Sequence, residues 1–119
     1  MSHEYTSVMY CTQKLREFLD EKMLKKHGHK FPNIKNHKDH ISFKYLNEEF
    51  AVKLEIMNGA CKKAKAFLEI KTESLWKDLK FTKFDIKRNK NGKISNKTYE
   101  SLFDDFIISG LKEYASSKQ

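Results

Sequence analysis

Residues 41–56 read ISFKYLNEEFAVKLEI, and the fold of the chain turns on this stretch. Ile41, Phe43 and Tyr45 fall on one side of an extended chain, with Ser42 and Lys44 on the other. Past Asn47–Glu48–Glu49, the apolar residues Phe50, Val52, Leu54 and Ile56 alternate with Ala51, Lys53 and Glu55. A period of two with one apolar set marks strands that bury a single face, and the polar interruption between them makes the pair a β-hairpin.

Downstream, Asn58–Gly59 is a strong tight-turn signal, and Ala64, Ala66, Leu68 and Ile70 place a third strand in the same meander. Glu73 to Lys80, carrying Leu75, Trp76 and Leu79, reads as one helical turn. Phe84 and Ile86 then alternate with Asp85 and Lys87 as a fourth, edge strand, and Asn89–Lys90–Asn91–Gly92 has turn composition. Upstream, Val8, Cys11, Leu15, Phe18, Leu19 and Met23 recur at three and four residues, which predicts an amphipathic helix from Val8 to about His27. Thr6 or Ser7 is its expected cap, Gly28 follows its end, and Lys22, Lys25 and Lys26 suit the negative end of its dipole. Gly28 to Asp39, with the only proline at Pro32, reads as an ordered loop. A second helix is predicted from about Asn96 to Tyr114, with Leu102, Phe103, Phe106, Ile107, Leu111 and Tyr114 inward and Gly110 as an early stop.

The order α-β-β-β-(β)-α predicts a single α+β domain over residues 1–119, with 1–5 and 116–119 frayed. Its three- to four-stranded antiparallel meander carries the N-terminal and C-terminal helices on one face. The other face then bears Ser42, Lys44, Ala51, Lys53, Glu55, Lys63, Lys65, Phe67, Glu69 and Lys71.

The apolar runs are too short for a membrane span, and no signal-peptide h-region follows the polar start, so an intracellular, cytoplasmic protein is expected. Cys11 and Cys61 lie outside any C-x-x-C spacing and read as two buried thiols in a reducing compartment, with a disulfide the lesser alternative.

Charge is unevenly spread. The net charge is +8, from 22 lysines and two arginines against 16 acidic residues. Residues 22–44 carry +6 and residues 62–97 carry +8, while the three remaining segments carry −2 each. Lys, Asn, Phe and Ile are plentiful and Arg, Gly, Pro and Ala scarce, as AT-rich codons favour, which accounts for part of the excess but not for its placement. Lysine is a mobile point charge suited to phosphate, poor at the forked readout of base edges that arginine performs. Lysines interleaved with rings suit single-stranded nucleic acid, where phosphates meet ammonium groups and bases stack. The expected interface is therefore Lys63, Lys65, Lys71, Lys83, Lys87 and Arg88 for phosphate, with Phe67 or Phe81 for stacking. The partner is nucleic acid, a nucleoprotein or an acidic protein surface. A small inhibitor or adaptor of the phage or mobile-element kind is the alternative.

Three chemical constellations rank below this. His27, His29, His37 and His40, beside Asp39, offer zinc donors in one short stretch, but without cysteine ligands or a zinc-finger spacing. Residues 87–98 have Asn89, Asn91 and Gly92 in the relative places of a calcium loop, but Lys87 and Thr98 occupy the positions that need carboxylates. Phe67–Leu68–Glu69–Ile70–Lys71 resembles the E-x-K strand of the PD-(D/E)xK nucleases. That resemblance implies an α-β-β-β-α-β core and a divalent metal held by acidic groups, with Glu69 and Glu49 or Glu48 as ligands, Glu17 or Glu21 on the helix, and Lys71 orienting water. Four such acidic-x-Lys triplets occur, starting at Asp20, Glu69, Asp78 and Asp85, about the number this lysine frequency yields by chance. No Ser/His/Asp set, redox dithiol or glycine-rich phosphate loop is present, and neither a cofactor nor a small-molecule substrate is expected. The balance favours surface contact over catalysis.

Overall fold

The computed structural model describes residues 3–37, 39–57 and 61–118, with side chains from residue 10 onward. Its order is α1 (His3–His27), β1 (Lys35–Asn36), β2 (His40–Tyr45), β3 (Glu48–Ile56), β4 (Lys63–Thr72), β5 (Leu75–Asp85), α2 (Asn96–Leu102), a π-helical stretch (Phe103–Ile108) and α3 (Ser109–Ser117). The five strands form one antiparallel sheet in chain order, with the helices packed on one face. This is the α+β meander the alternation predicts, with the short β1 added to it.

Ile41 pairs with Val52, and Phe43 with Phe50; Phe50 in turn pairs with Ile70, Val52 with Leu68, and Leu54 with Ala66. All are buried, so the apolar set read from the sequence is the helix-facing set. Leu46 and Asn47 both have positive φ, 53° and 66°, giving the two-residue turn whose twist matches a hairpin. The break therefore falls one residue earlier than the polar run Asn47–Glu48–Glu49 implies. The Asn58–Gly59 turn lies outside the described residues.

Four expectations are corrected. Glu73–Lys80 holds no helical turn. Glu73 and Ser74, at φ 52° and 90°, make a second tight turn, and β5 starts directly at Leu75. The helical spacing was misleading because Leu75 is 74% exposed and Leu79 sits in a bulge, where Leu68 pairs with Lys80 but Glu69 with Asp78. This hairpin also replaces the helix that the nuclease core has between its third and fourth strands.

The N-terminal helix starts at His3, so Thr6 and Ser7 lie inside it rather than capping it. Gly110 does not end the C-terminal helix. A Cβ there would stand 2.6 Å from Leu68 Cδ2 and 3.3 Å from Lys80 Cδ, so the missing side chain lets the helix lie against β4 and β5. Finally, Cys11 and Cys61 are joined as a disulfide, their Cα atoms 6.2 Å apart, because α1 crosses the sheet beside the start of β4.

Aromatic rings fill the space between the layers. Phe31, delivered by the loop after α1, is 1% exposed and packs against Phe43, Tyr45 and Phe103. Phe103 also stacks on Tyr99 at 5.1 Å and on His27 at 4.5 Å. At the far end Tyr114 donates a hydrogen bond to Glu48, and Lys118 Nζ reaches both Glu48 oxygens at 3.0 Å, fastening α3 to the β2–β3 hairpin. Among the described residues, no helix is long and apolar enough to cross a membrane.

Candidate nucleic-acid interface

Because residues opposite each other in an antiparallel pair share a face, the register fixes the outer surface row by row. The central row is His40–Lys53–Phe67–Phe81. On one side of it runs Glu55–Lys65–Lys83, and beyond that Lys63 opposite Asp85, with Lys63 Nζ 4.0 Å from Asp85. On the other side runs Ser42–Ala51–Glu69–Asp78, and then Lys44 with Glu49 on one flank and Lys71 with Trp76 on the other.

This face is not uniformly basic. Its six lysines meet five carboxylates: Lys63, Lys65 and Lys83 stand with Glu55 and Asp85 on one side of the aromatic row, and Lys44 and Lys71 with Glu49, Glu69 and Asp78 on the other. Lys63, Lys65 and Lys83 gather on the side that runs into the Lys87–Lys97 segment, which holds Lys87, Arg88, Lys90, Lys93 and Lys97. Among the described residues, Lys65 and Lys83 make no ion pair, so their ammonium groups are available to a ligand.

The two phenyl rings of the central row lie side by side. Phe67 and Phe81 lie 5.2 Å apart at a tilt of 43°, Phe67 half-buried and Phe81 48% exposed. The Ile86 N–H donates to Lys62 O at 2.7 Å, so along this ladder the even-numbered residues of β5 bond to β4. Phe67 and Phe81 then form a non-hydrogen-bonded pair, in which side chains approach most closely. The backbone groups of Phe81, Lys83 and Asp85 point to the open edge.

Of the residues expected at the interface, Lys63, Lys65, Phe67, Phe81 and Lys83 come together. Lys87 lies past the end of β5, its backbone N–H donating to Thr98 Oγ1 at 2.7 Å. Lys71 stands beyond the Glu69–Asp78 row, its ammonium 5.9 Å from the Trp76 ring centroid. Arg88 faces the helix side, donating to Gly92 O at 2.9 Å and to Cys61 Sγ at 3.3 Å. Arg16 is buried under β1, where its Nε meets Asn36 Oδ1 at 3.3 Å. The ring-and-lysine patch thus contains no arginine, the residue best able to read base edges.

The Glu49–Glu69–Lys71 set shares the outer face, but the nearest acidic neighbour of Glu69 is Asp78. The histidine set is divided. His27 is half-buried and stacks on Phe103 at the helix side of the sheet, His37 and His40 stack on each other at 4.4 Å over the outer face, and His29 is exposed. His37 Nε2 lies 2.8 Å from Ser42 Oγ, and His40 Nδ1 lies 2.8 Å from Asp39. Among the described residues, no three His, Cys, Asp or Glu side chains gather as a metal set. In the calcium-like loop, Asn89 Oδ1 accepts from the backbone of Asn91 and Lys93, so it shapes the turn.

Two residues of this surface, Trp76 and Asp78, are invisible to a reading that puts 73–80 in a helix. Strand alternation of Trp76 and Asp78 against Lys77 is the signal that would have found them. The Glu69 carboxyl is pushed above its usual range by burial, then by the hydrogen bond and the negative charge of Asp78, against the pull of Lys53 and His40. The folded protein therefore holds this proton more tightly than the unfolded chain. Its contribution to stability is complete below the ordinary carboxylate range and is lost as pH rises through the raised value. Glu69→Gln keeps the hydrogen bond without the charge. In urea titrations it should raise the unfolding midpoint at pH 7.5, with the gain shrinking or vanishing at pH 4. An equal change at both pH values would show the carboxyls to be independent.

Comparison with known proteins returns no match: no protein-family model, no curated protein and no solved structure aligns significantly with the chain.

Proposed function

We propose that the protein is a non-enzymatic binding module that holds single-stranded nucleic acid, free or within a nucleoprotein, across the outer face of its sheet. The observation that carries this reading is the exposed Phe81 ring paired with Phe67 and flanked by the unpaired Lys65 and Lys83. A base stacks on Phe81, and the adjoining phosphates meet Lys65, Lys83 and Lys63, with the Lys87–Lys97 segment extending the track. The acidic Glu69–Asp78 row repels phosphate and so gives the strand one side on which to run. Lysine without arginine favours backbone contact and weak sequence preference.

Fluorescence anisotropy with a labelled single-stranded oligonucleotide tests the reading. Log affinity should fall linearly with log salt, with a slope of about −2 to −3 for three or four neutralised phosphates. Phe81→Ala should weaken binding roughly tenfold, within the 1–3 kcal/mol typical of a base–ring stack, without lowering the urea midpoint. Absence of binding at the lowest salt would sink the proposal.

One observation favours a protein partner instead. The outward backbone groups of Phe81, Lys83 and Asp85 are a template for an added strand. An inhibitor or adaptor that captures an extended segment of another protein is the second reading. The bulge at Leu79 and the edge lysines work against such pairing, which ranks it below the first.

A further inference from the structure

The bridge between Cys11 and Cys61 has an asymmetric environment. Cys61 is 7% exposed and sits at φ 57°, whereas Cys11, on α1, is half-buried and reached more easily from solvent. The Arg88 guanidinium lies against Cys61 only, with Nη2 3.3 Å from its Sγ, and its other end is anchored by Nη1 to Gly92 O at 2.9 Å. That anchor belongs to a turn closed by the Asn89 side chain and by the Arg88–Ile94 bridge, so the positive charge is held in place beside one sulfur of the pair. A guanidinium fixed against a sulfur favours the thiolate over the thiol.

We propose that Cys11–Cys61 is a reversible thiol–disulfide exchange site, opened by dithiol reductants at Cys11, with Arg88 as the positioning residue that stabilises the departing Cys61 thiolate. The reductant thiolate attacks Cys11 Sγ, the protein S–S bond breaks, and its electron pair leaves on Cys61 Sγ beside Arg88. The second reductant thiol, deprotonated, attacks the mixed disulfide. Cys11 departs as a thiolate and takes up a proton, the dithiol becomes a disulfide, and the protein has gained two electrons. Exchange is faster when the leaving thiol is more acidic, so Arg88 directs which sulfur is released. Arg88 also lines the groove between α1 and residues 88–96, together with Tyr10, Phe18 and Ile94. Opening the bridge leaves a Cys61 thiolate beside the Arg88 guanidinium. This inference is independent of nucleic-acid binding and uses no nucleic acid in its test.

The experiment follows reduction of the oxidised protein by dithiothreitol. Samples are quenched with acid, labelled with a polyethylene-glycol maleimide and resolved by gel shift. Arg88→Gln should slow reduction at least threefold at pH 7, and Arg88→Lys should restore most of the rate. As a readout that a purely structural role would not move, Cys61 in a Cys11→Ser background is alkylated across pH. Its reaction midpoint should lie below that of an ordinary thiol and should rise on Arg88→Gln. Equal reduction rates in wild type and Arg88→Gln, or an unmoved midpoint, would overturn the role of Arg88. Two free thiols remaining after incubation with oxidised glutathione would overturn the site itself.

Discussion

Phe103→Ala is expected to lower the free energy of unfolding by about 4 kcal/mol, the middle of the range for removing a buried ring. Phe103 is fully buried and is the point where three segments meet. Its ring touches His27 at the end of α1, Phe31 in the loop that follows, and Tyr99 one turn earlier in α2. Truncation removes the ring's own burial and leaves three others facing a cavity, and a β-sheet behind them limits how far they can collapse. Domains of this size are stable by about 5–15 kcal/mol, so such a loss takes a large part of the total. Urea unfolding followed by circular dichroism measures it, with the slope expected to stay unchanged. Phe103→Leu, which keeps most of the volume, should cost less than half as much. A loss under about 1.5 kcal/mol for the alanine variant would show that Phe103 is not the hub of the core.

Removing the bridge should be comparably costly. Cys11 and Cys61 are 50 residues apart in sequence, and closing a loop of that length in the unfolded chain is worth about 4 kcal/mol in the chain-entropy treatment. The double variant Cys11→Ser, Cys61→Ser should therefore unfold at a much lower urea concentration than the oxidised protein. Reduced wild type should fall to nearly the same midpoint, while the double variant should be indifferent to reductant. Wild type that keeps its midpoint on reduction would mean the link carries no stability. Using both serines avoids a stray thiol, and the comparison with reduced wild type separates loss of the bond from loss of sulfur packing beside Arg88.

What the sequence made legible follows burial. The 41–56 hairpin reads correctly because one of its faces is sealed by helices, so each alternate residue had to be apolar. Phe84 and Ile86 read correctly for the same reason. Leu75–Lys80 did not, because β5 is an edge strand whose first half buries almost nothing, and a bulge breaks its alternation at Leu79. With no sealed face, nothing compelled a period of two. Gly110 was misread as a stop because its role is set by Leu68 and Lys80, residues distant in sequence. The pairing of Cys11 with Cys61 and the turning of Arg88 toward them are likewise properties of the assembled layers. For the candidate interface, Phe67, Lys63 and Lys65 could be assigned to the outer face from β4 alone. That Phe81 and Lys83 stand directly beside them, and that a carboxyl pair bounds them, required the β4–β5 register.

Strand order equal to chain order has a consequence for how the molecule assembles. Every neighbour in the sheet is supplied by the next hairpin, and two of those hairpins close through turns of only two residues, at Leu46–Asn47 and Glu73–Ser74. Loop closure at each step joins short lengths of chain, so the sheet is able to zip one strand at a time without a long search. The docking of α1 across the sheet and the clasp of Tyr114 and Lys118 on Glu48 are the contacts that unite remote parts of the chain. They close the longest loops and so carry the greatest entropic cost, and they are the contacts expected to set the folding rate.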